Sequence, residues 1–128
     1  MHALLALMRE RDVEAVAVEV SAQALSRHRV DGIRFDVAGF TNLSHDHLDD
    51  YADMEEYFEA KLALFRPDRA TRAVVCLDSP SGATVAQRSE IPVVTVGTPS
   101  IAADPEGAAR ADWVVVIDDE RASGTTFT

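Results

Sequence analysis

The sequence predicts an α/β domain with a doubly wound, mostly parallel sheet and flanking helices. Three observations carry that expectation. Short runs rich in valine and alanine alternate with stretches of helical periodicity along the chain. The run at 15–20, AVAVEV, is apolar on both faces, as in a strand covered by helices on either side. Turn and breaker residues, Asp31-Gly32, Pro67 and Pro92, fall between the periodic stretches.

Taken in order, residues 3–11 read as a helix and 15–20 as the first strand. Residues 22–27 form a short helix that leads through Asp31-Gly32 into a second strand at 35–41. A loop rich in histidine and aspartate follows. Asp53 with Glu56 three residues later is a capping-box signature, so a helix opens there and runs over 54–65 until Pro67 ends it. A third strand at 72–77, a helix at 81–88 closed near Ile91-Pro92, a fourth strand at 93–96 and a fifth at 112–117 complete the pattern. Residues 123–128, SGTTFT, read as a β-like run with nothing after it to pair with, and the chain opens directly into a helix. Both ends therefore read as cut, and the expectation is a fragment of a larger protein.

The 128 residues suit a single domain with a true core. A formal charge of −10 argues against a nucleic-acid partner and requires a divalent cation or local arginines wherever an anion is to bind. The single cysteine, Cys76, excludes an internal disulfide and reads as a small hydrophobe in a strand. The apolar run at 3–8 is too short to span a membrane and lacks a basic leader, which leaves the cytoplasm as the expected compartment.

The chain has one lysine, Lys61. It occupies the series 54/57/58/61/62/65, whose other members are Met54, Tyr57, Phe58, Leu62 and Phe65. A lysine on such a face reaches water along its stem, pairs with a carboxylate, or gives up its charge to become a nucleophilic amine. Close by, residues 45–50 read His-Asp-His-Leu-Asp-Asp, a dense set of metal-ligating groups. Glu19 stands near the carboxyl end of the 15–20 strand, where ligands bind in open parallel sheets. Flanked by valines, it needs either a partner, Arg27 or Arg29, or a metal ion. His47 is a candidate ligand beside it. His45 and His47 alone do not complete a zinc set, whereas a carboxylate-rich site suits Mg²⁺ or Mn²⁺. No Gly-Lys-Ser/Thr loop occurs, since Ala60 precedes the only lysine, and no G-x-S-x-G motif is present.

The segment FTNLSHDHLDDYADMEEYFEAKLALF at 40–65 resembles the F-T-N-L-S-R-D-H-L-D…M-E-x-Y-F-x-A-K-x-x-L-F block of the Mur ligases. Glu19-Val20-Ser21 with Arg29-Val30 resembles their E-V-S-S-H-A-L…R-V-D-G segment. The resemblance implies part of the central domain of an ATP-dependent ligase. Such a ligase adds an amino acid to UDP-N-acetylmuramoyl-dipeptide through an acyl-phosphate during peptidoglycan precursor synthesis. It also implies that Lys61 is carbamylated by CO₂ and supports a metal, that Glu19 and His47 bind Mg²⁺ near the ATP γ-phosphate, and that Ser21, Arg29 and Arg27 contact the nucleotide-sugar substrate. The sequence departs from the family at Ala22 and Gln23, which replace its Ser-His, at Arg27, which replaces a glutamine, and at His45, which replaces an arginine. The family's P-loop and C-terminal domain are not represented in these residues. The expectation is a chain inactive by itself, and the alternative is a non-catalytic, Mur-ligase-like binding module. A related ligase acting on folate shares the lysine helix but fits less well at Ser21 and Arg29-Val30.

Overall fold

The computed structural model describes residues 1–43, 50–121 and 123–128. In chain order the elements are α1 (His2–Glu10), α2 (Ala22–Ser26), β1 (Phe35–Phe40), α3 (Met54–Leu62) with a 3₁₀ turn at Ala63–Phe65, β2 (Ala70–Cys76), α4 (Pro80–Arg88), β3 (Val93–Gly97), α5 (Pro105–Ala108), β4 (Trp113–Val114), β5 (Ile117–Arg121) and β6 (Gly124–Phe127). Strands β1 to β4 form a four-stranded sheet in sequential order, every pair parallel. The expected parallel α/β fold with flanking helices is therefore the fold observed.

Local chemistry sets the elements. The Asp53 carboxylate accepts from the Glu56 N–H at 2.9 Å, and the Glu56 carboxylate accepts from the Ala52 N–H at 2.7 Å, so the α3 start is closed from both sides. Ser21 caps α2, its hydroxyl oxygen accepting from the Ala24 N–H at 3.2 Å. Alternation in the strands gives one buried face, with Ala38 and Phe40 on β1 and Ala73 and Val75 on β2. Phe58, Leu62, Leu64 and Phe65 cover that face from α3 and its 3₁₀ turn, joined by Val85 from α4 and by Leu25, Val30 and Ile91. Phe40 and Phe65 meet edge to face at 6.3 Å. Val37, Val74 and Val94 lie outside this core and remain exposed.

Glycine permits two close approaches. A Cβ on Gly82 would collide with the Cys76 carbonyl, and one on Gly97 with the Ala108 backbone, so α4 and α5 sit directly on the ends of β2 and β3.

Three sequence expectations are corrected. The strand at 15–20 does not form; no ladder pairs these residues, and Val16 and Val18 are exposed at 45% and 38%. A strand requires a hydrogen-bonded neighbour, and here a cleft lies between the 18–23 stretch and β1. The fifth strand contracts to Trp113–Val114, because Ile117 already belongs to a separate antiparallel hairpin. That hairpin also supplies the missing partner of the SGTTFT run: β6 pairs backward with β5.

Candidate functional site

The cleft beside β1 has a volume of about 470 Å³. One wall is the extended chain Val18–Glu19–Val20 and the start of α2, including Ser21. The other is β1 with Thr41 and Asn42 at its carboxyl end, and Tyr57, Lys61 and Leu64 close the side from α3 and its turn. A second cleft, also about 470 Å³, adjoins it and is lined by Met1, Glu19, Ser21, Ala24, Arg29 and Val30. Glu19 and Ser21 belong to both.

Most of the sequence-derived candidates therefore meet. Lys61, Glu19 and Ser21 line one cleft, and Glu19, Ser21 and Arg29 line its neighbour. Lys61 is half-buried, with its Nζ 5.3 Å from the centre of the buried Tyr57 ring, a cation–π distance. It thus lies on the edge of the apolar stripe and lines the cleft. Glu19 differs from expectation: it is exposed, because the strand meant to bury it is absent. Among the described residues neither Arg27 nor Arg29 pairs with it.

Arg27 lines neither cleft. Its guanidinium donates to Asp50 Oδ1 at 2.6 Å, and the Gln23 amide donates to Asp50 Oδ2 at 3.2 Å. His47 falls outside the described residues, as do His45 and Asp46. Sequence reasoning did not select Thr41, Asn42 and Tyr57 as cleft-lining groups. Position at the carboxyl end of a parallel strand was the available signal for the first two, and Tyr57 was absorbed into the core stripe, which it also serves.

Elsewhere, titration shifts have local causes. The Arg69 guanidinium, aided by His28, holds the Asp31 carboxyl below the usual carboxylate range. Burial pushes the Cys76 thiol up. Cys76 is half-buried at the end of β2, which fits a packing role.

Chemically, the principal cleft is lined by one carboxylate (Glu19), the hydroxyl residues Ser21, Thr41 and Tyr57, the carboxamides Gln23 and Asn42, and one amine (Lys61). Among the described residues no group of three His, Cys, Asp or Glu side chains converges on a point that would cage a metal. One carboxylate with neutral oxygen donors instead suits a hard cation that keeps most of its ligands as water or phosphate oxygen. Among the described residues no helix is long and apolar enough to cross a membrane.

Comparison with known proteins gives a single answer. Residues 1–121 match the Mur ligase middle domain. The chain is 59% identical over 127 residues to a UDP-N-acetylmuramyl-tripeptide synthetase of Leifsonia xyli subsp. xyli, covering 99% of this chain and 23% of that protein. It is 42% identical over 128 residues to the UDP-N-acetylmuramoyl-L-alanyl-D-glutamate--2,6-diaminopimelate ligase of Streptomyces avermitilis, covering 24% of that protein. A solved structure of a ligase of the latter name superposes with a TM-score of 0.67 at 27% identity, over 85% of this chain and 22% of that one. The chain thus spans about a quarter of the length of these relatives. It belongs to the Mur ligase family, within the middle domain.

Proposed function

We propose that this chain is the middle part of an ATP-dependent ligase of peptidoglycan precursor synthesis, acting in the cytoplasm. That ligase joins an amino acid to UDP-N-acetylmuramoyl-dipeptide through an acyl-phosphate. The observation that carries the reading is the convergence of Glu19, Ser21 and Lys61 on one cleft, with Arg29 in the adjoining one. In this reading Glu19, with His47, holds Mg²⁺, which supplies charge neutralisation for a transferring phosphoryl group. Once the Lys61 ammonium has given a proton to water, its neutral amine would form an N–C bond to CO₂ and release a second proton to water. That step turns a cation into an anionic carbamate with two oxygen donors. Arg29 and the Ser21 hydroxyl proton face the nucleotide-sugar. Arg27, implied by resemblance as a third substrate contact, points instead to Asp50. ATP is gripped by a P-loop outside these residues.

The test is ligation by the full-length gene product. ATP-dependent addition of diaminopimelate or lysine to UDP-N-acetylmuramoyl-dipeptide, with stoichiometric ADP and phosphate, is the expected result. Ala22, Gln23 and His45 favour the second reading, a non-catalytic module. Binding of the nucleotide-sugar with no turnover under any amino acid would establish that alternative.

A further inference from the structure

α2 and its C-cap carry three polar groups in one row, of which Gln23 also lines the principal cleft. Gln23, Ser26 and Arg27 stand at positions i, i+3 and i+4, hence side by side. All three engage the two residues that lead into α3. Gln23 and Arg27 divide the two oxygens of the Asp50 carboxylate at 3.2 and 2.6 Å, and the Ser26 hydroxyl lies 3.1 Å from the Tyr51 hydroxyl. The contacts then continue inward. The Tyr51 ring packs on the Tyr57 ring with centroids 5.3 Å apart, and Tyr57, buried, carries Lys61 Nζ over its face at 5.3 Å.

We propose that Arg27, with Gln23 and Asp50, is a positioning clasp that sets Lys61 across the cleft from Ser21, and not a contact to substrate. The proposal rests on the ligase reading above for its catalytic consequence. Three facts support it. Arg27 lines neither cleft, its guanidinium is already engaged, and its partner Asp50 adjoins Tyr51 in sequence, from which ring contacts run through Tyr57 to Lys61. Ser21 and Arg27 cap the two ends of α2, a helix of five residues that carries Gln23, so a shift of α2 against α3 changes the Ser21–Lys61 separation directly. An exposed ion pair contributes little to global stability, so the clasp's effect is local: it selects one placement of α3 relative to α2.

The experiment uses the full-length gene product with Arg27→Ala, Asp50→Ala, the double variant, and the charge exchange Arg27→Asp/Asp50→Arg. Steady-state ligation is read as kcat and KM for UDP-N-acetylmuramoyl-dipeptide, beside amide hydrogen exchange across residues 50–61. Each single variant is expected to lower kcat about five-fold, the size of one exposed charge coupling, with KM within two-fold. The double variant should be no worse than either single one. The exchanged pair should regain most of kcat, since Gln23 can accept from an arginine as well as donate to a carboxylate. Exchange across 50–61 should quicken in the single variants and recover in the exchanged pair. A raised KM in Arg27→Ala alone, with Asp50→Ala silent and no recovery on exchange, would overturn the proposal in favour of a substrate contact. Unchanged exchange in every variant would overturn it as well. If the wild-type protein does not ligate at all, the ligase reading fails by itself, and the exchange measurement still decides whether the clasp orders α3.

Discussion

Replacing Lys61 by alanine separates chemistry from packing, because the structure gives Lys61 little to do for stability. Its ammonium makes one cation–π contact, over Tyr57 at 5.3 Å, and no ion pair among the described residues. At a half-exposed site such a contact is worth about 0.5–1 kcal/mol. Its stem is half-buried, and trimming it adds at most a similar amount. The sum, about 1–2 kcal/mol, lowers the melting temperature by roughly 3–8 °C in a domain of this size. The same substitution removes the amine on which a carbamate would form. Loss of one preorganised group at a developing charge costs about 10²–10³-fold in kcat. The expected outcome is therefore a folded protein, with melting only slightly lowered, that ligates at or below one hundredth of the wild-type rate. Ligation within a few-fold of wild type would remove Lys61 from the mechanism. Loss of activity together with collapse of the fold would show that Lys61 has a structural role beyond its contact with Tyr57.

Asp53→Ala removes the α3 cap and should cost about 1 kcal/mol in chemical denaturation. Gly97→Ala places a methyl against the Ala108 backbone and should cost at least about 2 kcal/mol, or displace α5, as read by the same melt and by amide exchange at 105–109. Phe65→Ala empties the centre of the core beneath α3 and should cost about 3–5 kcal/mol. The Thr95 N–H and hydroxyl both donate to Asp112 Oδ2 at 2.8 Å and hold its carboxyl below the usual range. Its folded-state value lies below the unfolded one, so this stabilisation is complete above the unfolded value and disappears as pH falls through the folded one. An acid titration of the melting temperature should accordingly lose part of its slope in Asp112→Asn.

The sheet was legible in the sequence wherever neighbours in space were also neighbours in order. Strands β1, β2 and β3 pair sequentially, each reads as an apolar run bounded by turn signals, and each lies within two residues of its expected bounds. The α3 start was legible for a different reason: a capping box is a wholly local device, and Asp53 and Glu56 contain all of it. The 15–20 run has the composition of a strand, yet strand formation is decided by the partner, and composition carries no information about that. The hairpin of β5 and β6 escaped notice because IDDER at 117–121 lacks the alternation that marks a half-buried strand, and its side chains are largely exposed. For the site, the lysine stripe and Glu19-Val20-Ser21 named residues that the fold brings to one cleft. The engagement of Arg27 by Asp50 had no signal, since the two are 23 residues apart and nothing in either neighbourhood marks the pairing.

Exposure of Glu19 changes the physical argument for a cation at this cleft. A buried carboxylate demands a partner because desolvation is costly; an exposed one does not. Under the proposed function the demand would come instead from the ligand. The chain carries a formal charge of −10, and a nucleotide-sugar and a nucleoside triphosphate are both polyanions. Within the two clefts, the fixed positive groups among the described residues are Arg29 and Lys61, set against Glu19. Those groups sum to a local charge of +1, and carbamylation of Lys61 would lower it by two charges, to −1. Under the proposed function such ligands would then need a divalent ion, held by Glu19, to offset that charge. Their affinity should fall steeply when Mg²⁺ is withdrawn, and rise again with added Mg²⁺ more than with the same ionic strength of Na⁺, because screening weakens repulsion without supplying a bridge. Equal recovery with Na⁺, measured by nucleotide-sugar binding to the full-length protein, would mean that general repulsion governs the cleft and that Glu19 holds no ion.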